Sequence, residues 1–217
     1  QLTDIRDKAI WLAASKGEAT DLALADKATK VLPEVKTNYN PENNGSLKYL
    51  YGDEALKALK VPAGYKIELF ASEEQFPELA KPMQMTFDGK GRLWISTMPS
   101  YPHYKPGDSK PNDKIIILED TNNDGKADKS TIFAEGLHLP VGFEFAPEGV
   151  YVSQGTNLVL LTDTNGDDKA DKHEIILSGF DDHDTHHNIH AFTTDPSGAI
   201  YMGEGVFLHT NVETSYG

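Results

Sequence analysis

Apolar and polar positions change period along this 217-residue chain. Up to about residue 60 the period is helical. Ile5, Ala9, Leu12 and Ala13 fall on one helical face after Thr3 and Asp4, either of which can cap a helix. Residues 19–32 read as a second helix that stops before Pro33. Residues 33–52 are rich in Asn, Pro, Gly and Tyr and read as a linker. A short helix is predicted over residues 53–60, ahead of Pro62. From Gly64 onward the period is two, and residues 65–70 (Tyr-Lys-Ile-Glu-Leu-Phe) alternate as a strand would.

Two hairpin patterns then take turns. Phe87-Asp-Gly-Lys-Gly91-Arg-Leu-Trp94-Ile95 matches Thr194-Asp-Pro-Ser-Gly198-Ala-Ile-Tyr201-Met202. Phe145-Ala-Pro-Glu-Gly149-Val-Tyr151-Val152 is a third copy, one residue shorter. Each reads as a strand, a tight Gly turn and a strand carrying an aromatic. The second pattern occupies residues 114–136 and recurs 43 positions later. In it Ile115–Leu118 and Leu158–Leu161 lead through Asp-rich loops into further strands. Two hairpins per unit make four strands, and a period of about 40–50 residues suggests propeller blades. The expected fold is therefore all-β: a β-propeller of four-stranded blades over residues 53–217, about three of them present. Residues 1–52 form a helical extension and linker. No helices intervene between strands, which argues against a parallel α/β fold, and a sandwich would not explain the ordered repeat. The third unit is unfinished at Tyr216 and Gly217, so a fragment, or a ring completed by a further propeller segment or another chain, is expected. The chain starts at Gln1 without Met and shows no signal peptide, which reads as a processed or trimmed product.

Charge narrows the partners. With 34 acidic against 20 basic residues the net charge is −14, the wrong sign for nucleic acid. There is no cysteine, so disulfides, thiolate metal sites and covalent haem attachment are excluded within these residues. No apolar run approaches the length of a transmembrane segment.

The acidity is concentrated in the repeated loops. Asp120, Asn122, Asp124 and Asp128 fall on Asp163, Asn165, Asp167 and Asp171. Oxygen donors at loop positions 1, 3, 5 and 9 suit a hard cation such as Ca²⁺, with the backbone carbonyl of Lys126 or Lys169 at position 7. Gly125 permits the sharp turn in the first loop, and Asp168 replaces it in the second. Neither loop has Glu at position 12, and strands flank both, so these are not full EF-hands. The expectation is structural Ca²⁺; the alternative is an Asp/Asn-rich hairpin without metal.

One connection is longer than its counterpart. Six extra residues fall in the stretch Asp181-Asp-His-Asp-Thr-His-His187, ahead of a strand predicted over residues 188–194. Four of the eight histidines lie here: His183, His186, His187 and His190. In a four-stranded blade this connection lies on the face opposite the Gly turns and the Asp loops. One mouth is therefore predicted to gather His103, Tyr104, Lys105, His138, Asp184, His186, His187, Glu204 and His209. Loops on a rigid scaffold are where function tends to sit. A His beside Asp184 could act as a general base. Several His with a carboxylate could hold a transition metal, and Lys, His and aromatics could hold an anionic cofactor or a sugar. The alternative is a solvated bulge whose His residues cap strand ends. His173, on the other face, reads as structural or exposed.

Residues 61–71 (Val-Pro-Ala-Gly-Tyr-Lys-Ile-Glu-Leu-Phe-Ala), Gly91-Arg-Leu-Trp94, the loop 118–128, Gly149-Val-Tyr-Val152 and Asp184-Thr-His-His187 together resemble one family. It comprises membrane-bound dehydrogenase-like proteins of the PVC type, whose N-terminal propellers are often joined to a haem-binding C-x-x-C-H domain. Their propeller is similar to the glucose/sorbosone dehydrogenases that use pyrroloquinoline quinone (PQQ). The resemblance covers roughly residues 55–217. It implies a periplasmic or cell-surface oxidoreductase acting on a sugar or other alcohol, in which a His takes the hydroxyl proton while hydride passes to the quinone. His187 is then the first candidate base and His186 the second, ahead of the turn Asp195-Pro-Ser-Gly198. His103, Tyr104, Lys105, His138 and His209 would line the cofactor, and a separate cytochrome would take the electrons. The alternative function is a non-catalytic, calcium-stabilised propeller that binds glycans or assembles a cell-surface complex.

Overall fold

The computed structural model describes residues 2–18, 49–102 and 107–217. The chain divides into two compact units, residues 1–49 and residues 50–217. The first contributes helix α1 (Leu2–Lys16), in which Ala9 is buried and Ile5 and Leu12 are half-buried, as the helical spacing requires. The helix expected over residues 19–32 lies outside the described residues. The second unit opens with helix α2 (Gly52–Ala58), two residues shorter at its end than the predicted 53–60.

A single 3-10 turn follows at Pro77–Leu79, and all described strands are antiparallel. Strands β1 (Pro82–Phe87), β2 (Leu93–Thr97), β3 (Asp113–Glu119) and β4 (Lys129–Leu137) form one four-stranded sheet in sequence order. Strands β5 (Phe143–Ala146), β6 (Gly149–Gln154), β7 (Asn157–Thr162) and β8 (Lys172–Leu177) form a second in the same order. Strands β9 (His190–Thr194) and β10 (Ile200–Gly203) make a two-stranded hairpin. The strand predicted over residues 65–70 does not form. Its alternation is real, but a strand needs a ladder partner, and the backbone bond that ties this segment down is Ala127 N–H to the Phe70 carbonyl, at 2.9 Å.

The sheets stack through alternating faces. In β2 and β3, Trp94, Ile115 and Ile117 point one way and join Phe143, Val150, Val152, Val159 and Leu161 of the second sheet. Leu93, Ile95, Ile116 and Leu118 point the other way and are covered by Phe76 and Leu79. The far face of the second sheet packs Leu158 against Phe180, Ile189 and Phe192. This explains why β3 and β7 read as unbroken apolar runs: both of their faces are buried. First strands are joined by side chains. Gln84 of β1 donates to the Phe143 carbonyl (2.8 Å) and accepts from the Phe143 N–H (3.0 Å). Buried Ser96 accepts from the Gln84 N–H, and buried Ser153 accepts from the Gly142 N–H.

The strand order fixes two ends. The turns at 88–92, 120–128, 147–148, 163–171 and 195–199 share one. The connections 98–112, 138–142, 155–156 and 178–189, and the segment after β10, share the other.

Candidate functional site

At the second end the inserted loop folds back on itself. The His187 N–H donates to the Asp184 carbonyl (2.9 Å), and the Gly205 N–H donates to the His187 carbonyl (2.8 Å). Gly205 is needed for this approach: a Cβ there would stand 2.5 Å from both Cβ and Cγ of His187. Asn188 is fully buried and donates to the Gly155 carbonyl (2.7 Å), pinning the loop to the β6–β7 turn.

The result is a tight cluster. Asp184 Oδ2 lies 3.0 Å from His187 Nδ1, and its Oδ1 lies 3.3 Å from His186 Nδ1. One ligand atom from each of Asp184, His186 and His187 lies within 4.8 Å of the others. Asp184 and His187 are half-buried and His186 is exposed. The Val206 carbonyl lies 3.1 Å from His187 Nδ1. Tyr101 Oη lies 3.2 Å from His186 Nδ1. Phe207 stacks on the His187 ring, and the two imidazoles meet edge to face at 4.7 Å.

His187 Nδ1 therefore faces two acceptors, a carboxylate and a carbonyl. In the neutral ring this setting favours the tautomer with the proton on Nδ1 and the lone pair on Nε2. An oriented imidazole of this kind can accept a proton from a hydroxyl or ligate a cation.

A second network braces the same loop. Asp181 accepts from the His183 N–H (3.0 Å) and the His209 N–H (2.8 Å), and pairs with His183 Nδ1 (2.7 Å). These bonds hold the Asp181 carboxyl well below the usual carboxylate range, and the Asp181 pairing raises His183. His209 is thus held through its backbone, while its side chain is exposed. His138 sits beside Gly155 and Asp182: a Cβ on Gly155 would lie 3.4 Å from His138 Nδ1 and 3.6 Å from Asp182 Oδ2. Glu204 bonds to Thr210. His190 Nδ1 meets the Asn188 carbonyl (2.6 Å) as a strand-end cap. His103, Tyr104 and Lys105 lie outside the described residues.

Four participants were not singled out by sequence: Tyr101, Gly205, Phe207 and Asp113. Asp113 is fully buried at the start of β3. Its carboxylate takes the Ser100 N–H (2.9 Å), the Ser100 hydroxyl (2.5 Å) and the Leu139 N–H (2.9 Å). It thereby ties the Tyr101 loop to the β4–β5 connection. Only the inserted loop and its histidines gave a compositional signal; contacts between distant loops give none.

At the opposite end the two Asp loops repeat one another. Asp120 accepts from the N–H groups of Asp124 (3.1 Å) and Gly125 (2.8 Å), and Asp163 from those of Asp167 (3.3 Å) and Asp168 (2.8 Å). Asn122 and Asn165 each accept from the residue two further on, at 2.9 Å. Asp124 and Asp167 do the same to the N–H groups of Lys126 and Lys169. Asp128 and Asp171 brace Thr121 and Thr164. Among the described residues, neither loop draws three carboxylates to metal-ligand spacing of one another. Asp168 takes the left-handed conformation of Gly125 (φ 63° against 87°), so the turn survives the substitution. Its carboxylate pairs with Arg92 at 2.8 Å.

No curated protein matches the chain, and no solved structure matches it. A family model does, over residues 52–216, which takes in the stacked sheets and the His-bearing loop: the chain is a member of the family described as Domain of unknown function (DUF7133).

Proposed function

We propose that residues 52–217 are successive blades of a β-propeller, and that its loop-bearing mouth acts on a hydroxyl of a sugar or other alcohol. The observation that carries this reading is the state of His187. Asp184 and the Val206 carbonyl both engage Nδ1, which leaves Nε2 as a fixed proton acceptor. Phe207 lies roughly parallel to the ring, with centroids 6.2 Å apart. Sequential four-stranded meanders packed face to face, with Gln84 linking first strands, support the blade reading.

An oxidation of that hydroxyl also needs a hydride acceptor. The described mouth does not fit PQQ, a tricarboxylate. Around the His-bearing loop the charges are Asp181, Asp182, Asp184 and Glu204; at the same end Lys81 is committed to the Pro99 and Tyr101 carbonyls, at 3.1 Å each, and Lys114 to the Asn112 carbonyl, at 3.0 Å, which leaves Lys110 against the quinone's three carboxylates. The quinone's place in this reading rests on the resemblance of the sequence to the PQQ-dependent dehydrogenases and on groups other than these. Structural Ca²⁺ at the repeated loops belongs to the same proposal, because both offer only oxygen donors. Extracellular modules use Ca²⁺ sites of about 10⁻⁴–10⁻³ M, which suits a periplasmic or cell-surface setting. Among the described residues no helix is long and apolar enough to cross a membrane.

The alternative, a non-catalytic binding or assembly propeller, has its own observation. Met83, Met85 and Phe87 stand exposed at alternate positions of β1, at 43%, 60% and 64%. Such a stripe suits a protein partner or a further blade.

Dye reduction with Ca²⁺, added PQQ and a sugar and alcohol panel separates the two. Turnover that drops by at least about 100-fold in His187→Ala is expected for proton acceptance. Turnover unchanged in that variant, or none in calcium-loaded protein, removes the catalytic reading and leaves the binding one.

A further inference from the structure

We infer that Asp184, His186 and His187 form a binding site for a divalent transition-metal ion of the zinc class, distinct from the calcium loops. Bonds of about 2.0–2.1 Å in a tetrahedral site place neighbouring ligand atoms roughly 3.3–3.5 Å apart. The two Asp184 oxygens already stand 3.3 Å and 3.0 Å from the two imidazole Nδ1 atoms. A cation entering there takes the Nδ1 positions, and the three donor atoms, within 4.8 Å of one another, draw together by up to roughly 1.5 Å to surround it. The Val206 carbonyl and Tyr101 Oη lie at 3.1 Å and 3.2 Å from the same nitrogens and supply further oxygen donors at the rim.

The donor set decides the metal class. Two imidazoles with one carboxylate suit Zn²⁺, Co²⁺ or Ni²⁺, whereas Ca²⁺ prefers oxygen alone. Access is open, since the His186 side chain is 55% exposed. Asp181, Asp182 and Glu204 add negative charge around the mouth and favour cation capture. The site is also pre-formed. Gly205 locks His187 from one side, the Asp184 carbonyl holds its N–H, and Asn188 anchors the loop to the turn beyond. Little ordering is then left for the metal to drive.

This site goes beyond the hydroxyl reading and does not depend on it. With a metal on Nδ1 the neutral His187 ring carries its proton on Nε2, so metal loading silences the base instead of assisting it.

Zn²⁺ titration of the chelator-stripped chain by calorimetry, in excess Ca²⁺ to occupy the oxygen loops, tests the inference. The expected result is one equivalent bound, with affinity at least about tenfold weaker in His187→Ala, His186→Gln and Asp184→Asn and unchanged in His173→Ala, an exposed histidine of β8 outside the loop. His186→Gln and Asp184→Asn keep the side-chain volume close to the original and guard against a folding artefact. Replacement of Zn²⁺ by Co²⁺ gives a visible spectrum that reports nitrogen and oxygen ligation directly. No saturable binding overturns the inference, as does wild-type affinity in the His186 and Asp184 variants, or loss of binding in His173→Ala. Zn²⁺ binding together with no dye reduction by the Zn²⁺-free, Ca²⁺-loaded protein overturns only the hydroxyl reading.

Discussion

Two residues with no chemistry of their own hold the mouth in shape. Asp113 is buried and takes three donors from two different connections. Replacement by Ala leaves Ser100 and the Leu139 N–H without an acceptor in a buried place, and the expected cost is about 3 kcal/mol. The Tyr101 loop loosens with it, so Asp113→Ala is also expected to weaken cation binding at His186. Urea unfolding beside Zn²⁺ titration checks both; a stability loss under about 0.5 kcal/mol, the range of ordinary surface changes, would sink the argument. Gly205 works by absence. A methyl group here would stand 2.5 Å from His187, so Gly205→Ala must push the ring away or open the loop, at about 1–3 kcal/mol. Wild-type stability with intact binding in this variant would mean that the loop adjusts freely.

Among the elements, the Gly hairpins share one device. Asp88 Oδ1 accepts from the Lys90 and Arg92 N–H groups, and its Oδ2 from the Trp94 indole. Asp195 repeats this with the N–H groups of Ser197 and Ala199 and with Tyr201 Oη. In the shorter copy, Glu148 accepts from Tyr151 Oη at 2.6 Å, which pushes that phenol up to about 12. Around Asp88, burial works against the charged form, but the accepted bonds from Arg92, Trp94 and Lys90 outweigh it and hold the carboxyl at about 2. A depressed carboxyl stabilises the fold above its unfolded pKa and loses that contribution as pH falls through the folded value. Asp88 should therefore supply on the order of 1–2 kcal/mol at neutral pH, lost between about pH 4 and pH 2. Asp88→Asn is expected to flatten the acid limb of the stability curve in that window. An unchanged slope would show that the bonds add no net preference for the ionised form. The hairpins were readable in sequence because strand alternation and turn residues are local properties. The same locality explains the error at residues 65–70, where alternation was present and a ladder partner was not. It also explains why strand order put the inserted loop at one end with the segments 101–105 and 205–217, yet did not single out Tyr101 or Phe207 within them. Side chains that meet across loops obey no period.

At the scale of the molecule, the sheets are layers held by shared apolar faces, and polar ties appear at both ends. At one end Asn188, Asp113 and Gly205 fix the His-bearing connections. At the other, Arg92 reaches from the first Gly turn to Asp168 in the second Asp loop, at 2.8 Å, with 12% of its side chain exposed. That bond makes the second loop a joint between sheets as well as a hairpin end. Sequence placed the loops at one end and the histidines at the other, since strand order alone decides which connections share an end. It gave no sign that an ion pair crosses between the sheets. A cation in the Asp loops would then act on the whole stack: it would neutralise crowded carboxylates, stiffen the second loop and hold Asp168 in reach of Arg92. Binding to the folded state alone stabilises by about 2.7 kcal/mol when free Ca²⁺ is 100 times its Kd. For a chain of this size that corresponds to a rise in Tm of roughly 5–10 °C. The rise should shrink in Asp120→Ala and in Asp163→Ala, and Mg²⁺ should not reproduce it. Arg92→Ala is expected to lower Tm with or without Ca²⁺, because Asp88 and Asp168 lose a shared partner. Identical melting in Ca²⁺, Mg²⁺ and chelator would mean that the backbone bonds to Asp120 and Asp163 close the loops on their own. The carboxylates would then serve as turn-formers and not as ligands.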